Sequence, residues 1–552
     1  MKARQRVGVV TGGGGGIGGA IAEEMGRSGW FVVTVDPLVT LDGTDRVATP
    51  QETTVDRIVA AGGSAMPSAV SVTDREALDT LFADLIKELG PLDAVVNVAG
   101  ITRQTGFAHG SADDWRAVLD VHLGGFLNIL GAALPHMISQ GHGCILGVTS
   151  GSGWRAANAG AYSCAKRAVA SLVWQLGRQM PSNVTVNAIS PIAATRMVAA
   201  AAERARKAGT DGGSGGLSLF DSMPQPEDLA PLATRLVEDA FRWCSGRVIF
   251  TGGSEVALVD EPRLLEVLRT DSAVPISQVL AATVPRALAP AEAHQASEGG
   301  GNPRFGALFN QPHDATTTNA DIASCLLVSN RHAVIAGMEA ALKARSIACH
   351  HVPVTSGFAG AADALKGILE AHGPIDAIVL APDGSVSSSL QEGWPRTLEE
   401  HVGISGQIED DAGWARAASD YAAATERTVR LITLVDAVHS GGRSRAQAST
   451  QLSRAAKDAT KGRVLACTVG LEDPDPQISS TLGEVVAYLL GDSEAMALAG
   501  AELVLRTGWF GIRSHPRPVG SITYGGPALP EWFDETMEEI LGKGRDQGGL
   551  GA

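Results

Sequence analysis

A phenol and an ammonium stand four residues apart in Tyr162-Ser-Cys-Ala-Lys166. On a helix that spacing puts both on one face, where the cation favours the tyrosinate and lowers the phenol's pKa. A tyrosine tuned in this way trades protons with an alcohol or carbonyl oxygen near neutral pH. The chain has 4 tyrosines. The others, Tyr421, Tyr488 and Tyr524, are followed four residues later by Thr425, Asp492 and Ala528, so this pair has no second copy. Upstream, the apolar run Cys144–Val148 ends in Thr149-Ser150-Gly151-Ser152-Gly153. Hydroxyls at the carboxyl end of a strand lie where a doubly wound sheet presents its site.

A second group of residues points to a dinucleotide. Thr11-Gly-Gly-Gly-Gly-Gly-Ile-Gly18 follows the apolar run Val7–Val10 and precedes a predicted helix over Ala20–Ser28. In such a turn, here Gly12, Gly15, Gly16, Ile17 and Gly18, backbone N–H groups approach a pyrophosphate at the positive end of a helix. The next predicted strand, Trp30–Asp36, ends in a carboxylate. Asp36 can accept hydrogen bonds from both hydroxyls of an adenosine ribose and repels a 2′-phosphate, and Pro37 rather than arginine follows it. The cofactor expected is therefore NAD rather than NADP.

Both groups need a parallel sheet to hold them. Further apolar runs at Ala94–Val98, Val184–Ile189 and Arg247–Phe250 are separated by helix-length amphipathic stretches, the rhythm of an α/β fold with helices on both faces. Between Thr195 and Pro224 the run Asp211-Gly-Gly-Ser-Gly-Gly216 reads as a surface loop or a substrate lid. From residue 271 the pattern dissolves, with a predicted helical stretch at Ile276–Ala289, and after residue 320 it resumes. Gly90-Pro-Leu-Asp-Ala-Val-Val finds an echo in Gly373-Pro-Ile-Asp-Ala-Ile-Val, and Leu431–Val435 and Arg463–Val469 stand where Cys144–Val148 and Val184–Ser190 stood. The division predicted is a dinucleotide-binding unit at 1–270, a linker at 271–320 and a second unit at 321–552. Together they form two tandem Rossmann-like doubly wound parallel sheets, the second degenerate. In that second unit the first turn reads Ser329-Asn-Arg-His-Ala-Val-Ile335, Leu380 replaces Asn97, and Asp436 stands in the serine position. Side chains in the turn would block a dinucleotide's approach.

Composition narrows the class. The chain has 552 residues, too many for one ordinary core, and 44% of them are apolar. With 44 Lys and Arg against 60 Asp and Glu, the net charge of -16 and the lack of a basic cluster argue against nucleic acid as a partner. Apolar runs are too short to span a membrane. The 6 Cys are scattered without a CxxC or His-paired spacing, so a reduced, metal-free, cytoplasmic protein is expected.

The first unit resembles the short-chain dehydrogenase/reductases. The resemblance rests on Thr11–Gly18, Asn97-Val-Ala-Gly100, Ser150-x-x-Gly153, Tyr162-x-x-x-Lys166 and Asn187-Ala-Ile-Ser-Pro191. Phe107–Trp115, Val121-His-Leu-x-Gly125 and Pro191–Met197 are most similar to the dehydrogenase part of type-2 multifunctional enzymes, which act on (3R)-hydroxyacyl-CoA and some steroids. The resemblance implies that Tyr162 is the general acid/base, that Ser150 hydrogen-bonds the reacting oxygen, and that Lys166 holds the nicotinamide ribose and tunes Tyr162. It also implies that Asn97, Ala99 and Gly100 line the cofactor, that Val72 meets the adenine, and that Pro191, Ile192 and Thr195 flank the nicotinamide amide. His122 stands where the family often has asparagine, and is read either as a proton relay or as a packing histidine. Ser152 competes with Ser150 for the hydroxyl role, the Gly153 register favouring Ser150. Arg196, Arg204, Arg206 and Lys207 are read as solvated helix charges, with an anionic substrate handle as the alternative.

The implied activity is NAD-dependent interconversion of a secondary alcohol and a ketone, on a hydroxyacyl-thioester, steroid or terpenoid-like substrate. An NADP-dependent 3-oxoacyl ketoreductase and an NAD-binding pseudoenzyme acting as scaffold or sensor remain alternatives. Family members pair through helices flanking the fourth and fifth strands, so a pseudo-dimer inside one chain, and two chains per particle, are expected.

Overall fold

A computed structural model describes residues 4–207, 223–270, 274–296, 321–382, 391–473, 478–526 and 528–541. The loop at Asp211–Gly216 and the linker residues 297–320 lie outside them. The strands are β1 Val7–Thr11, β2 Phe31–Val35, β3 Ser64–Ser68, β4 Leu92–Asn97, β5 Gly143–Val148, β6 Val184–Pro191, β7 Val248–Gly252, β8 Glu255–Asp260, β9 Leu264–Arg269, β10 Ser324–Val328, β11 Ala348–Val352, β12 Ala377–Leu380, β13 Val429–Asp436, β14 Val464–Leu471, β15 Glu502–Arg506, β16 Trp509–Arg513 and β17 Arg517–Thr523. They form two sheets, as the alternating pattern implies, in the orders β17-β8-β7-β6-β5-β4-β1-β2-β3 and β11-β10-β12-β13-β14-β15-β16-β9. From β1 to β7 and from β10 to β15 every pairing is parallel. The second order repeats the first without a partner for the edge strand β3.

Burial on both faces makes these strands apolar at successive positions. Val9, Val33, Val95, Ile145 and Val186 point to one side of the first sheet, and Val10, Val32, Val96, Leu146 and Ile189 to the other. The first of these clusters does not stop at the sheet's own helices. It runs through Ala168, Leu172, Ala448 and Leu452 to Leu326, Ile378 and Leu431 of the second sheet. Helix Ala161–Gly177 packs along helix Ser440–Ala459, and helix Ala112–Leu119 touches helix Ile404–Thr425. A cavity of about 280 Å³ remains in this seam, lined by Trp174, Arg178, Gln447, Glu502 and Arg513 among others. Against the expectation from the apolar runs, the helical run Ala112–Gln140 is long and apolar enough by length and composition to cross a membrane; an 18-residue window of it has mean hydropathy 1.6, and most of that window is buried.

The echoed Gly-Pro-x-Asp segments perform the same local task. Gly90 and Gly373 end the preceding helices at φ +95° and +83°, a region that favours glycine. Asp93 Oδ2 then accepts the Val7 N–H at 2.8 Å, opening β1, while Asp376 Oδ2 accepts those of Ala323 and Ser324 at 2.9 and 3.1 Å, opening β10. Each carboxylate also meets an arginine, Arg4 at 2.7 Å and Arg427 respectively.

Across the boundary predicted at residue 270 the halves exchange strands. β9 leaves the first sheet and pairs antiparallel with β16 at the edge of the second. β17 travels the other way and pairs antiparallel with β8. It brings helix Phe533–Leu541 against the first sheet, where Phe533, Met537 and Leu541 are buried and Asp534 is paired with Arg235. The predicted helical stretch after residue 271 is present as Ile276–Thr283, continued by a π-helical turn to Leu288. Phe533 is 0% exposed and packs near Phe241 and Tyr524, so Phe533→Ala should destabilise the first half by about 3–5 kcal/mol. Thermal unfolding of the full chain, followed by a first-half probe such as Trp30, checks this as a lowered midpoint.

Candidate active site

The glycine turn joins the end of β1 to helix Gly16–Arg27. Thr11 is buried and ties the turn to β4. Its Oγ1 donates to Asn97 Oδ1 at 2.7 Å and accepts the N–H groups of Val98 and Ala99, each at 3.2 Å. Gly12 sits at φ +66°, and a Cβ there would come within 2.9 Å of the Ala99 nitrogen. One on Gly18 would stand 2.2 Å from the Gly12 carbonyl oxygen. Gly16, in contrast, has nothing among the described residues within 4 Å of where its Cβ would be. A closed turn at a helix N-terminus fits a pyrophosphate.

Asp36 follows β2 and curls back onto the turn. Its Oδ2 accepts the Gly14 N–H at 3.0 Å and its Oδ1 the Leu38 N–H at 2.8 Å. The carboxylate is thus pinned beside the glycines, where it suits ribose hydroxyls and opposes a second phosphate. Val72 turns its side chain inward against Gly125, and Asn128 holds its carbonyl at 2.9 Å, which leaves only its backbone to meet a base. Asn97 is buried beside Ala99 and Gly100. Pro191 ends β6. The Ile192 N–H bonds the Thr251 carbonyl at 2.9 Å, and Thr195 Oγ1 accepts the Val198 N–H at 3.3 Å at the start of the next helix. Arg196 is a residue whose position spacing did not reveal. Its Nη2 lies 3.9 Å from where a Gly15 Cβ would stand, beside the glycine turn.

Tyr162, Lys166, Ser150 and His122 lie near one another. Helix Ala161–Gly177 begins at Thr105, whose Oγ1 accepts the Ala161 N–H at 3.1 Å. Its lysine is buried, donates to the Val148 carbonyl at 2.6 Å, and lies 5.7 Å from the centre of the Tyr162 ring. Burial alone pushes the Lys166 ammonium down to about 7. The phenol, expected low from its spacing, is instead pushed up, because burial outweighs the lowering effect of the Ser150 hydroxyl. The i, i+4 pair shares a face, but desolvation penalises both charged forms.

His122 lies in a π-helical turn, Asp120–Gly124, that interrupts the run into helix Gly125–Gln140. Its Nε2 is 2.8 Å from the Ile101 carbonyl, its ring stands edge-on to Tyr162 with centroids 5.0 Å apart, and its Nδ1 is buried without a partner. Burial first and Lys166 second push its pKa down to about 3, so the ring is neutral. Nε2 also receives the Ile101 N–H at 3.3 Å, so both backbone groups of Ile101 meet this one ring nitrogen. The ring also explains Gly100, since a Cβ there would come within 2.5 Å of Cε1.

A lysine whose folded pKa is depressed destabilises the fold fully below that pKa, and the penalty fades as pH rises toward the free value. Lys166→Met should therefore melt above the parent chain at pH below about 7, the gap closing as pH rises toward 10.5. Melting curves across that range check it; a gap independent of pH contradicts a buried ammonium at this position.

Residues 6–206 match the short chain dehydrogenase family. The short-chain reductase protein NovJ of Streptomyces niveus is 36% identical over 203 residues, which span 36% of this chain and 74% of that protein. The peroxisomal hydratase-dehydrogenase-epimerase of Saccharomyces cerevisiae is 35% identical over 202 residues, 36% of this chain and 22% of that protein. A solved short chain dehydrogenase from Mycobacterium avium is 27% identical, with 55% of this chain and 99% of that one covered and a TM-score of 0.42.

Proposed function

From the premise that the chain belongs to the short-chain dehydrogenase/reductase family of oxidoreductases, we propose that its first half interconverts a secondary alcohol and a ketone with NAD. The observation that carries this reading is the gathering of Tyr162, His122 and a buried Lys166, with the tyrosine ring 5.0 Å from the His122 ring and 5.7 Å from the lysine Nζ. When bound, the nicotinamide supplies the hydride acceptor or donor. Gly12, Gly15, Gly16, Ile17 and Gly18 receive the pyrophosphate, with Arg196 as counter-charge. Asp36 receives the adenosine ribose, Val72 the base, and Asn97, Ala99, Gly100, Pro191, Ile192 and Thr195 the nicotinamide end.

Tyr162 moves the proton at the substrate oxygen, and Ser150 donates a hydrogen bond to that oxygen as charge develops on it. Lys166 carries its proton loosely, at about 7, and an anionic tyrosinate beside it restores a reason to hold it. His122, neutral and edge-on to the Tyr162 ring, is the group placed to relay a proton there. The second half is a duplicate that keeps the strand order and not the chemistry. A hydroxyacyl thioester, steroid or terpenoid-like alcohol is the substrate class proposed. The alternative is reduction with NADP, in keeping with a relative named as a reductase; the carboxylate at Asp36 favours NAD.

Tyr162→Phe should lower kcat by about 10²–10⁴-fold while NAD binding persists. Production of reduced cofactor from purified protein across those alcohols, with NAD and NADP compared, checks both statements, and retained turnover in Tyr162→Phe would falsify the assigned role. Asp36→Asn should shift preference toward NADP in the same assay.

A further inference from the structure

The turn that carries Ser150 is held from the other half of the chain. Within its own half it closes on itself, with the Gly153 N–H on the Ser150 carbonyl at 2.9 Å and the Ser152 N–H on Ser150 Oγ at 3.2 Å. The outward carbonyls of Ser152, Trp154 and Arg155 are met by two side chains of helix Ser440–Ala459. Gln451 Nε2 donates to Ser152 at 3.0 Å and to Arg155 at 2.7 Å. Arg454 Nη1 donates to Trp154 at 2.9 Å and, at 3.2 Å, to Gln451 Oε1, which links the two donors. Gln451 is 1% exposed. The far side of the turn is anchored in the first half, where Trp154 Nε1 donates to Ser190 Oγ at 2.9 Å at the end of β6, and the Arg155 guanidinium lies 4.7 Å over the Trp154 ring.

We infer that Gln451 and Arg454 are positioning residues for the substrate side of the active site, so that the second half is a working part of the first half's catalytic machinery. The inference rests on the reading above that Ser150 acts on the substrate oxygen. Without these donors three carbonyls beside the seam lose their partners, and the turn shifts until water satisfies them. A shift of that kind moves Ser150 Oγ relative to Tyr162 while leaving the glycine turn on β1 untouched. Misplacement by about 1 Å near reacting atoms costs on the order of 100-fold in rate.

The test uses the full chain with Gln451→Met and Arg454→Met, which remove the donors at similar length, and Arg454→Lys, which keeps a charged donor. Two quantities are read: turnover, and hydrogen exchange of the amides at 150–157 without substrate or cofactor. The expected result is kcat lower by about 10–100-fold, an unchanged KM for NAD, faster exchange at 150–157, and partial recovery of both quantities in Arg454→Lys. Folded Met variants with parental kcat and parental exchange overturn the proposal, as does a loss expressed only in the KM for NAD. Should Arg454→Met fail to fold, Gln451→Met and Arg454→Lys make the same comparison. If the parent chain binds NAD yet turns over no alcohol or ketone, the functional reading falls, while the exchange of 150–157 still decides whether the second half holds the turn.

Discussion

Helix Ala161–Gly177 has no solvent face. Along it only Tyr162 and Gln175 keep part of their surface open, because the helix is wedged between its own sheet and the helix Ser440–Ala459. A helix enclosed in this way must be small or apolar all round, and Ala161, Ala165, Ala168, Ala170 and Ser171 meet that condition. Lys166 and Arg167 are its costly exceptions. Burial is the leading cause of the loosely held lysine proton, of the raised phenol and of the neutral His122 alike.

The residue after Lys166 faces the other way and carries a charge into the seam. Arg167 Nη2 meets Glu502 at 2.9 Å and its Nε meets Gln447 at 2.9 Å, both ends of the ion pair being buried. Burial pulls the guanidinium to about 10 and pushes the Glu502 carboxyl up. Such a pair adds little net stability, but loss of one member leaves an uncompensated charge and costs about 3–5 kcal/mol. Two adjacent residues of one helix thus bond in opposite directions, Lys166 to β5 of its own sheet and Arg167 to β15 of the other. Arg116 with Glu409 at 2.6 Å, and Arg416 with the Gly110 carbonyl at 2.9 Å, continue that alignment along the neighbouring helices.

What was legible in the sequence was local. The glycine turn, Asp36 at the end of β2 and the Tyr162–Lys166 spacing are each set within a few residues, and the strand rhythm follows from burial on both sheet faces. The Gly-Pro-x-Asp echo was legible because one backbone task, ending a helix and clasping the first strand of the sheet, asks for the same residues twice. Long-range facts were not. Leu264 and Val267 are exposed on β9, so nothing in that strand's pattern names the sheet it joins. The direction of the Tyr162 shift depends on how much is packed around the phenol, which an i, i+4 spacing does not report. Gln451 and Arg454 are ordinary helix residues until the carbonyls opposite them are known.

The exchange of β9 and β17 also bears on how the chain is made. A polypeptide leaves the ribosome from its N-terminus, and domains ordinarily fold as they emerge. Here the first sheet cannot be completed until residues near 520 have been synthesised, and until then β8 is left with an unpaired edge able to pair with another chain. The first sheet, although it begins the sequence, is the later of the two to be completed. A cut of the chain after β9 would separate each sheet from a strand that the other part carries.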